Sequence, residues 1–291
     1  MATLQDDRPK PGIYPGVPFE TYASWSAVNH SFLKWFEYSA EHALEYRLNP
    51  PPSTRDQIIG SATHALLLEP DQFAERYCPA LDRPKRSKAD KLAHIRHSEL
   101  NSGKTELKPE EWDLVHRMAE AVRCGKNSTA LELVEHPKAF REVVIVWNDP
   151  DTGLLCKARI DLLMKSFRGF PTAADFKTTR DRLTIQRRGK FIAEFKTYSQ
   201  FAFYCDGLDA LTRSYGHEPV HRRILAVLVE KKPPHGVAVT EIDEDDIEQG
   251  RRECRRWLNQ AAECFDSGVW PGYSASIGVA SLPMYAKDGG L

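Results

Sequence analysis

Long apolar segments are missing from this sequence. No run of apolar residues approaches the ~20 that a membrane-spanning helix requires. The first residues, "MATLQDDRPKPG", contain no apolar core of the kind that secretory signal peptides carry. We therefore expect a cytoplasmic protein that has no membrane partner.

Cysteine is present, but never in a ligand-forming pattern. The 6 cysteines are dispersed, none stands in a Cys-x-x-Cys pair, and none lies near a histidine at zinc-finger spacing. Even the nearest pair, Cys254 and Cys264, is ten positions apart, whereas an iron–sulfur cluster requires closely grouped thiolates. The sequence predicts free thiols in a reducing compartment and no iron–sulfur cluster.

An excess of charge of either sign is also missing. The 40 basic and 41 acidic side chains give a formal charge of −1, so attraction to nucleic acid has to come from local basic patches. A chain of 291 residues with 41% hydrophobic content can form a real core. We find no internal repeat and no long linker. The predicted division is an extended segment at 1–24, a single domain at 25–273 and a tail at 274–291.

The order of the predicted elements indicates an α/β (α+β) fold with a mixed sheet between helices. Helices are predicted at about 26–48, 56–68 and 191–211, and others begin at "KPEEW" and "DEDDI". The predicted strands are "REVVIVW", "LLCKARIDLLM", "PTAADFKTT", "RILAVLVE" and "GVAVTEI". The stretch 81–104 has seven basic against three acidic residues. It is predicted to be mobile and either a solvated linker or a phosphate contact.

Two aspartates interrupt one apolar hairpin, "RIDLLMKSFRGFPTAADFKTT". The midpoint of Asp161 and Asp175 is the predicted tip, Arg168, so a symmetric register places their Cβ atoms about 4.5 to 5.5 Å apart. Lys177 projects from the same face as Asp175 because side chains alternate along a strand. The hairpin therefore brings two carboxylates and an ammonium together.

Such a pair of carboxylates needs compensation by a shared proton, by the lysine or by a metal ion. Oxygen ligands at this separation suit Mg²⁺ or Mn²⁺, and a lysine with a lowered pKa can deprotonate or orient an attacking water. This combination is typical of phosphodiester hydrolysis. The alternative is a structural hairpin with a surface salt bridge from Lys177, and the residues alone leave both open.

A resemblance to known nucleases extends over most of the chain. The hairpin, with Asp161, Asp175 and Lys177, resembles the core of the PD-(D/E)xK nuclease superfamily, although Ala173 and Ala174 stand where the motif has a nearby proline. "GSATHALLLEP" resembles the Gly-x-x-x-His helix of the RecB-like branch, and "YSQFAFYCDGL" resembles its Gln-x-x-x-Tyr helix. "GIYPGVPFETYASWSAVNHSFLK" and "VWPGY" resemble RecE-like (exodeoxyribonuclease VIII-like) nuclease domains of phage or prophage type. The resemblance implies a restriction-endonuclease-like core.

The resemblance also implies roles for single residues. It implies that the metal is held by His64, Asp161, Asp175 and the carbonyl of Phe176, and that Lys177, Gln200 and Tyr204 take part in catalysis. A histidine in this position is otherwise a hydrogen-bonded core residue, but Gly60 one turn earlier lets the helix approach the sheet. Gln200 and Tyr204 are four apart on a predicted helix and off its apolar stripe, so they are expected to orient a phosphate or the lysine, or else are ordinary boundary residues.

Further candidates surround this set. Glu142, at the start of "REVVIVW", is a candidate for an extra carboxylate, although we expect a solvent-facing strand end. A basic segment follows the hairpin at once and is a candidate track for the DNA backbone; its members are Arg180, Arg182, Arg187, Arg188 and Lys190.

Together these observations predict a Mg²⁺-dependent deoxyribonuclease, with Mn²⁺ as a substitute. The RecE-like resemblance further implies 5′-to-3′ digestion of double-stranded DNA from free ends, leaving 3′ single strands for a single-strand annealing recombinase. It also implies a ring-shaped homo-oligomer in a bacterial or phage-infected cell. The alternatives are a related nuclease of other polarity, an endonuclease or single-strand exonuclease, and a non-catalytic DNA-binding module. A metalloenzyme acting on small organic substrates is a more distant alternative.

Overall fold

A six-stranded mixed sheet forms the centre of the molecule. The computed structural model describes residues 9–84, 86–273, 277, 280 and 281. Most of the predicted tail, 274–291, therefore lies outside the described residues. The strands are β1 (Gly12–Tyr14), β2 (Tyr77–Pro79), β3 (Thr105–Leu107), β4 (Phe140–Asn148), β5 (Leu155–Phe167), β6 (Phe170–Thr179), β7 (Arg223–Glu230) and β8 (Val237–Glu241).

The strand order in the main sheet is β1-β4-β5-β6-β7-β8. Strands β6 and β7 are parallel, and every other pair in this sheet is antiparallel. Strands β2 and β3 form a separate parallel pair. The arrangement confirms the predicted mixed sheet, with its three-strand meander β4-β5-β6 next to the nearly all-apolar β7.

Helices cover both faces of the main sheet. They are α1 (Phe19–Ser24), α2 (His30–Leu33), α3 (Ala40–Leu48), α4 (Arg55–Leu68), α5 (Pro70–Arg76), α6 (Lys88–Leu100), α7 (Pro109–Arg123), α8 (Ser128–Glu135), α9 (Ile185–Glu194), α10 (Thr197–Ser214) and α11 (Glu244–Ser267). One core cluster joins the sheet to α2, α3, α10 and α11, and a second joins it to α4, α5, α7 and α8. Within the described part of the chain, no helix is both long and apolar enough to cross a membrane.

Capping residues explain where the predicted helices break. The helix expected at 26–48 is interrupted because Asn29 and Ser39 each accept a hydrogen bond from a backbone N–H and start new helices, α2 and α3. The helix expected at 191–211 is divided between α9 and α10 by Lys196, whose φ is +53°. Phe195, which follows the last residue of α9, is exposed.

Two segments predicted to lack structure contain helices. The segment 1–24, expected to be extended, holds β1 and α1, and its residues 1–8 lie outside the description. The basic stretch 81–104 contains the 13-residue helix α6. Ser87 and Asp90 form a reciprocal capping box at its start, which stabilises a helix that the charge content alone did not predict.

A close contact between α10 and α11 gives a test of this packing. A Cβ added at Gly250 would lie 2.8 Å from the Cα of Ser199 and 2.9 Å from the Cβ of Ala202. We expect Gly250→Ala to destabilise the protein by about 1 to 3 kcal/mol, because backbone must shift to accept the methyl group. The measurement is the urea midpoint at unchanged m-value.

Gly189 is the matched control for this substitution. It lies inside α9, and a Cβ there would meet nothing within 4 Å. Gly189→Ala should therefore leave stability unchanged or raise it by up to about 1 kcal/mol. Equal midpoints for the two variants would contradict the close α10–α11 contact.

Candidate metal centre and active site

Three neighbouring strands place three acids side by side. On β5 and β6, Leu162 faces Ala174, so the preceding Asp161 and the following Asp175 are adjacent, as the symmetric register predicted. On β4 and β5, Val143 faces Ile160 and Arg141 faces Leu162, which brings Glu142 beside Asp161. All three acids are buried. Burial of adjacent carboxylates is costly unless cations or hydrogen bonds compensate them.

His64 provides part of that compensation from α4. Its Nε2 lies 2.8 Å from Asp161 Oδ2, and its Nδ1 lies 3.0 Å from Glu142 Oε1. Burial lowers the pKa of His64, but Asp161 and then Glu142 outweigh it, so the pKa is raised well above its usual value. Helix α4 can come this close because a Cβ on Gly60 would already be 3.1 Å from Thr178 Oγ1. His64 thus lies between Glu142 and Asp161, and its role as a metal ligand stays a prediction.

Glu142 belongs to the centre of the site, which corrects the expected solvent-facing strand end. Its side chain is only 5% exposed and reaches both His64 and Arg159. Its φ of +50° is unusual for a residue with a side chain and costs of order 1 to 3 kcal/mol. Such strain persists only where the surroundings fix it, and here the surroundings are the acids and cations of the site.

Asp175 is the acid that links the sheet to α10. Lys177 Nζ lies 2.6 Å from its Oδ2, and Gln200 Nε2 lies 3.4 Å from its Oδ1. Gln200 also donates a hydrogen bond of 2.5 Å to Tyr204 Oη. The structure brings Gln200 and Tyr204 to the site, but Tyr204 is buried in the core cluster and not off the apolar stripe as expected.

Burial and charged neighbours together set the pKa of each acid and of the lysine in this group. Burial raises the pKa of Asp161, but His64 and Lys177 lower it overall. Burial and the neighbouring Asp161 raise the pKa of Asp175. Burial lowers the pKa of Lys177, but Asp175 and Asp161 outweigh it and raise that pKa. Lys177 is therefore held as an ammonium, which favours an electrostatic role over the role of base that requires a lowered pKa.

The comparison with family models agrees with this geometry. Residues 29–282 match the family described as "PDDEXK-like domain of unknown function (DUF3799)". The match extends over well more than half of the chain. The chain belongs to this PDDEXK-like family.

One solved structure has a similar fold. A crystal structure from Eubacterium rectale, described as a "Putative exonuclease", is similar with a TM-score of 0.59 and 10% identity, covering 94% of this chain and 99% of that one. The structure of SSO0001 covers 79% of this chain and 86% of its own at 15% identity, but its TM-score of 0.26 carries no argument. No curated protein matches the chain. None of these comparisons tests the narrower RecE-like placement.

The residues fit the divalent metal that a PDDEXK-like fold implies. One donor atom each from His64, Glu142 and Asp161 can be chosen so that all three lie within 4.8 Å of one another. Glu142 Oε1 and Asp175 Oδ2 are buried and make no hydrogen bond of good geometry, although each lies close to a cationic group. Unshared lone pairs on buried carboxylate oxygens, beside an imidazole, are a donor set suited to Mn²⁺ or Mg²⁺.

Phe176 contributes to the site through its main chain. Its N–H donates a 2.7 Å hydrogen bond to Asp161 Oδ2, the same oxygen that faces His64. This bond fixes the orientation of the Asp161 carboxylate. The role of the Phe176 carbonyl as a metal ligand stays a prediction.

The predicted basic track is largely engaged with acids. Arg180 pairs with Asp56, Arg187 lies 3.9 Å from Asp181, and Lys190 lies 3.4 Å from Glu194. Arg188 Nε donates to the carbonyl of Leu183.

Arg182 differs from the other members of the track. It binds the buried Glu230 at 2.7 Å, and the same Glu230 accepts the N–H of Leu183. Arg182 thus forms a short ion pair within the fold, whereas the exposed Arg187 has only a long ion-pair distance, to Asp181.

Removal of Glu142 tests whether this cluster binds metal. We expect Glu142→Gln to weaken Mn²⁺ binding by at least about 10-fold, because it removes a carboxylate charge and one donor oxygen. Isothermal titration with MnCl₂ in the absence of DNA measures it. The control is Glu132→Gln, which removes an exposed carboxylate paired with Arg168. Similar losses in both variants would contradict a site at Glu142.

Proposed function

We propose that this protein is a metal-dependent deoxyribonuclease that hydrolyses phosphodiester bonds. The observation that carries the proposal is the meeting of His64, Glu142 and Asp161 with the Asp175–Lys177 pair. Membership of the PDDEXK-like family supports it. A row of three buried carboxylates does not stabilise the sheet, since adjacent like charges destabilise it.

The residues divide the chemistry among them. His64, Glu142, Asp161 and Asp175 would hold the ion, Mg²⁺ or its substitute Mn²⁺. When bound, such an ion polarises the scissile phosphate and lowers the pKa of a coordinated water. Lys177, as an ammonium, is suited to bind a phosphate oxygen and to neutralise charge that develops on it. Gln200 holds Asp175 from α10, and Tyr204 fixes the amide of Gln200.

We further propose double-stranded DNA with free ends as the substrate. The description of the Eubacterium rectale structure as a "Putative exonuclease" and the RecE-like motifs support this choice. The 5′-to-3′ polarity, a homo-oligomeric ring and a single-strand annealing recombinase as partner depend on the RecE-like resemblance alone. The alternatives are a nuclease of other polarity, an endonuclease, and a DNA-binding module without activity.

A substitution at Lys177 tests the proposed chemistry. We expect Lys177→Met to lower kcat by about 10²- to 10³-fold, because it removes one preorganised cation from the site of developing charge. The assay uses linear duplexes labelled at the 5′ or the 3′ end, with Mg²⁺ or EDTA. Lys165→Met, on the exposed part of the same hairpin, is the control and should retain full activity.

The same assay separates the alternatives. Loss of only the 5′ label at early times, with closed circles intact, supports 5′-to-3′ exonuclease action. Early loss of the 3′ label indicates the opposite polarity, and cutting of closed circles indicates an endonuclease. DNA binding without metal-dependent cleavage would contradict the proposed activity and favour the binding module.

The basic track gives a separate prediction about DNA binding. We expect Arg187→Gln to weaken binding to duplex DNA about equally for all sequences and to reduce the salt slope of log K by roughly 0.9, as loss of one phosphate contact does. Fluorescence anisotropy in EDTA measures binding without cleavage. Arg117→Gln, an exposed position on α7, is the control. Equal slopes for both variants and wild type would exclude Arg187 from the DNA path.

A further inference from the structure

A largely buried guanidinium, that of Arg159, contacts the second carboxylate oxygen of Glu142. Arg159 Nε lies 2.8 Å from Glu142 Oε2, an ion pair that lacks the alignment of a hydrogen bond, whereas His64 Nδ1 lies 3.0 Å from Oε1 of the same carboxylate. Arg159 is on β5, two residues before Asp161, and its side chain is 11% exposed. One oxygen of Glu142 is thus committed to arginine, and only the other is directed to the candidate metal centre.

Arg159 is itself held in place from several sides. Its terminal nitrogen lies 3.1 Å from both carboxylate oxygens of Glu69, and Glu69 also binds Arg76 at 2.6 Å. The ring of Phe19 lies over the guanidinium, with 5.5 Å from Cζ to the ring centroid. Charges therefore alternate without a gap from Arg76 through Glu69 and Arg159 to Glu142.

The backbone of Glu142 makes this support necessary. Its φ of +50° is costly, and its carboxylate is almost completely withdrawn from water. A long side chain on a strained backbone has several rotamers. The Glu142 rotamer has to stay fixed if Oε1 is to remain beside His64. The ion pair with Arg159 favours that rotamer electrostatically and also compensates the buried charge.

We propose that Arg159 is a positioning residue of the metal centre, which selects the Glu142 orientation that binds the ion. This inference rests on the proposed function, because it concerns the ion of the same site. Arginine suits the task better than lysine because its planar fork contacts Glu142 and Glu69 at the same time, which a single ammonium on a flexible stem does not reproduce. Glu69 acts on the site only through Arg159.

The test measures Mn²⁺ affinity in the absence of DNA. The electron paramagnetic resonance signal of free Mn²⁺ reports how much of the ion is unbound. We expect Arg159→Lys to weaken Mn²⁺ binding by about 10- to 100-fold, the range found when partners of metal ligands are lost. Arg168→Lys is the matched control, because Arg168 binds the Glu132 carboxylate in a similar fork on the protein surface. It should bind Mn²⁺ like the wild type.

A double-mutant cycle distinguishes positioning from general stabilisation. Glu69→Gln should weaken Mn²⁺ binding measurably in the wild-type background and have no effect in the Glu142→Gln background, because its influence reaches the ion only through Glu142. Thermal unfolding in EDTA verifies that each variant is folded. Since Glu69→Gln leaves Arg159 in place, this arm remains informative if Arg159→Lys does not fold.

The outcomes separate this inference from the proposed function. If the wild type takes up no Mn²⁺, the proposed metal-dependent activity fails, and the inference fails with it. If the wild type binds Mn²⁺ and Arg159→Lys binds within about 2-fold of it, less than the range for such partners, the positioning role alone is overturned. An equal effect of Glu69→Gln in both backgrounds likewise overturns it, because Glu69 would then act independently of Glu142.

Discussion

The cost of burying several carboxylates in one place governs the architecture of this protein. Glu142, Asp161 and Asp175 lie side by side on three adjacent strands. The sheet by itself cannot stabilise that row, since like charges across strands repel. Compensating positive charge comes from helix α4 through His64 and from the strands through Lys177 and Arg159. The site therefore requires that α4 and α10 both pack close to the acids of the sheet.

The two helical layers have different tasks in this arrangement. Helix α4 approaches β6 closely at Gly60 and delivers an imidazole between two acids. Helix α10 contacts Asp175 from the opposite layer through the amide of Gln200, and Tyr204 anchors that amide in the core. The first helix thus supplies a partner for two acids, whereas the second holds Asp175 in its orientation. A shift of either layer by about 1 Å would break contacts whose strength depends on distance and alignment.

Much of this site could be predicted from the sequence because strand pairing obeys simple arithmetic. The midpoint of Asp161 and Asp175 gave the register of the hairpin, and Leu162 opposite Ala174 confirms it. The same reasoning could have found Glu142, because the midpoint of 142 and 161 falls within the turn "NDPDTG". Glu142 is only a marginal candidate in the sequence because the start of a strand is expected to face solvent. The left-handed backbone of Glu142 and its contact with Arg159 have no such signal, since both depend on tertiary packing.

Predictions of helix position from composition and apolar pattern were wrong where capping or backbone geometry decided the structure. Ser87 and Asp90 begin a helix in a stretch whose charge indicated none, and Lys196 divides a helix whose apolar pattern is continuous. These errors lie at the edges of elements and leave the sheet intact. The predicted fold class is still correct because the mostly buried strands β4 to β7 have clear apolar patterns.

The buried acids of the candidate site also oppose folding. The raised pKa of Asp175 means that its charged form is less favourable in the folded chain than in the unfolded one. Its contribution to stability is therefore greatest at low pH and is lost as the pH rises through the folded-state pKa. The strained backbone of Glu142 adds a cost of its own. A sequence selected only for stability would have few reasons to bury this row of acids, so the cost of burying it supports the metal centre proposed above.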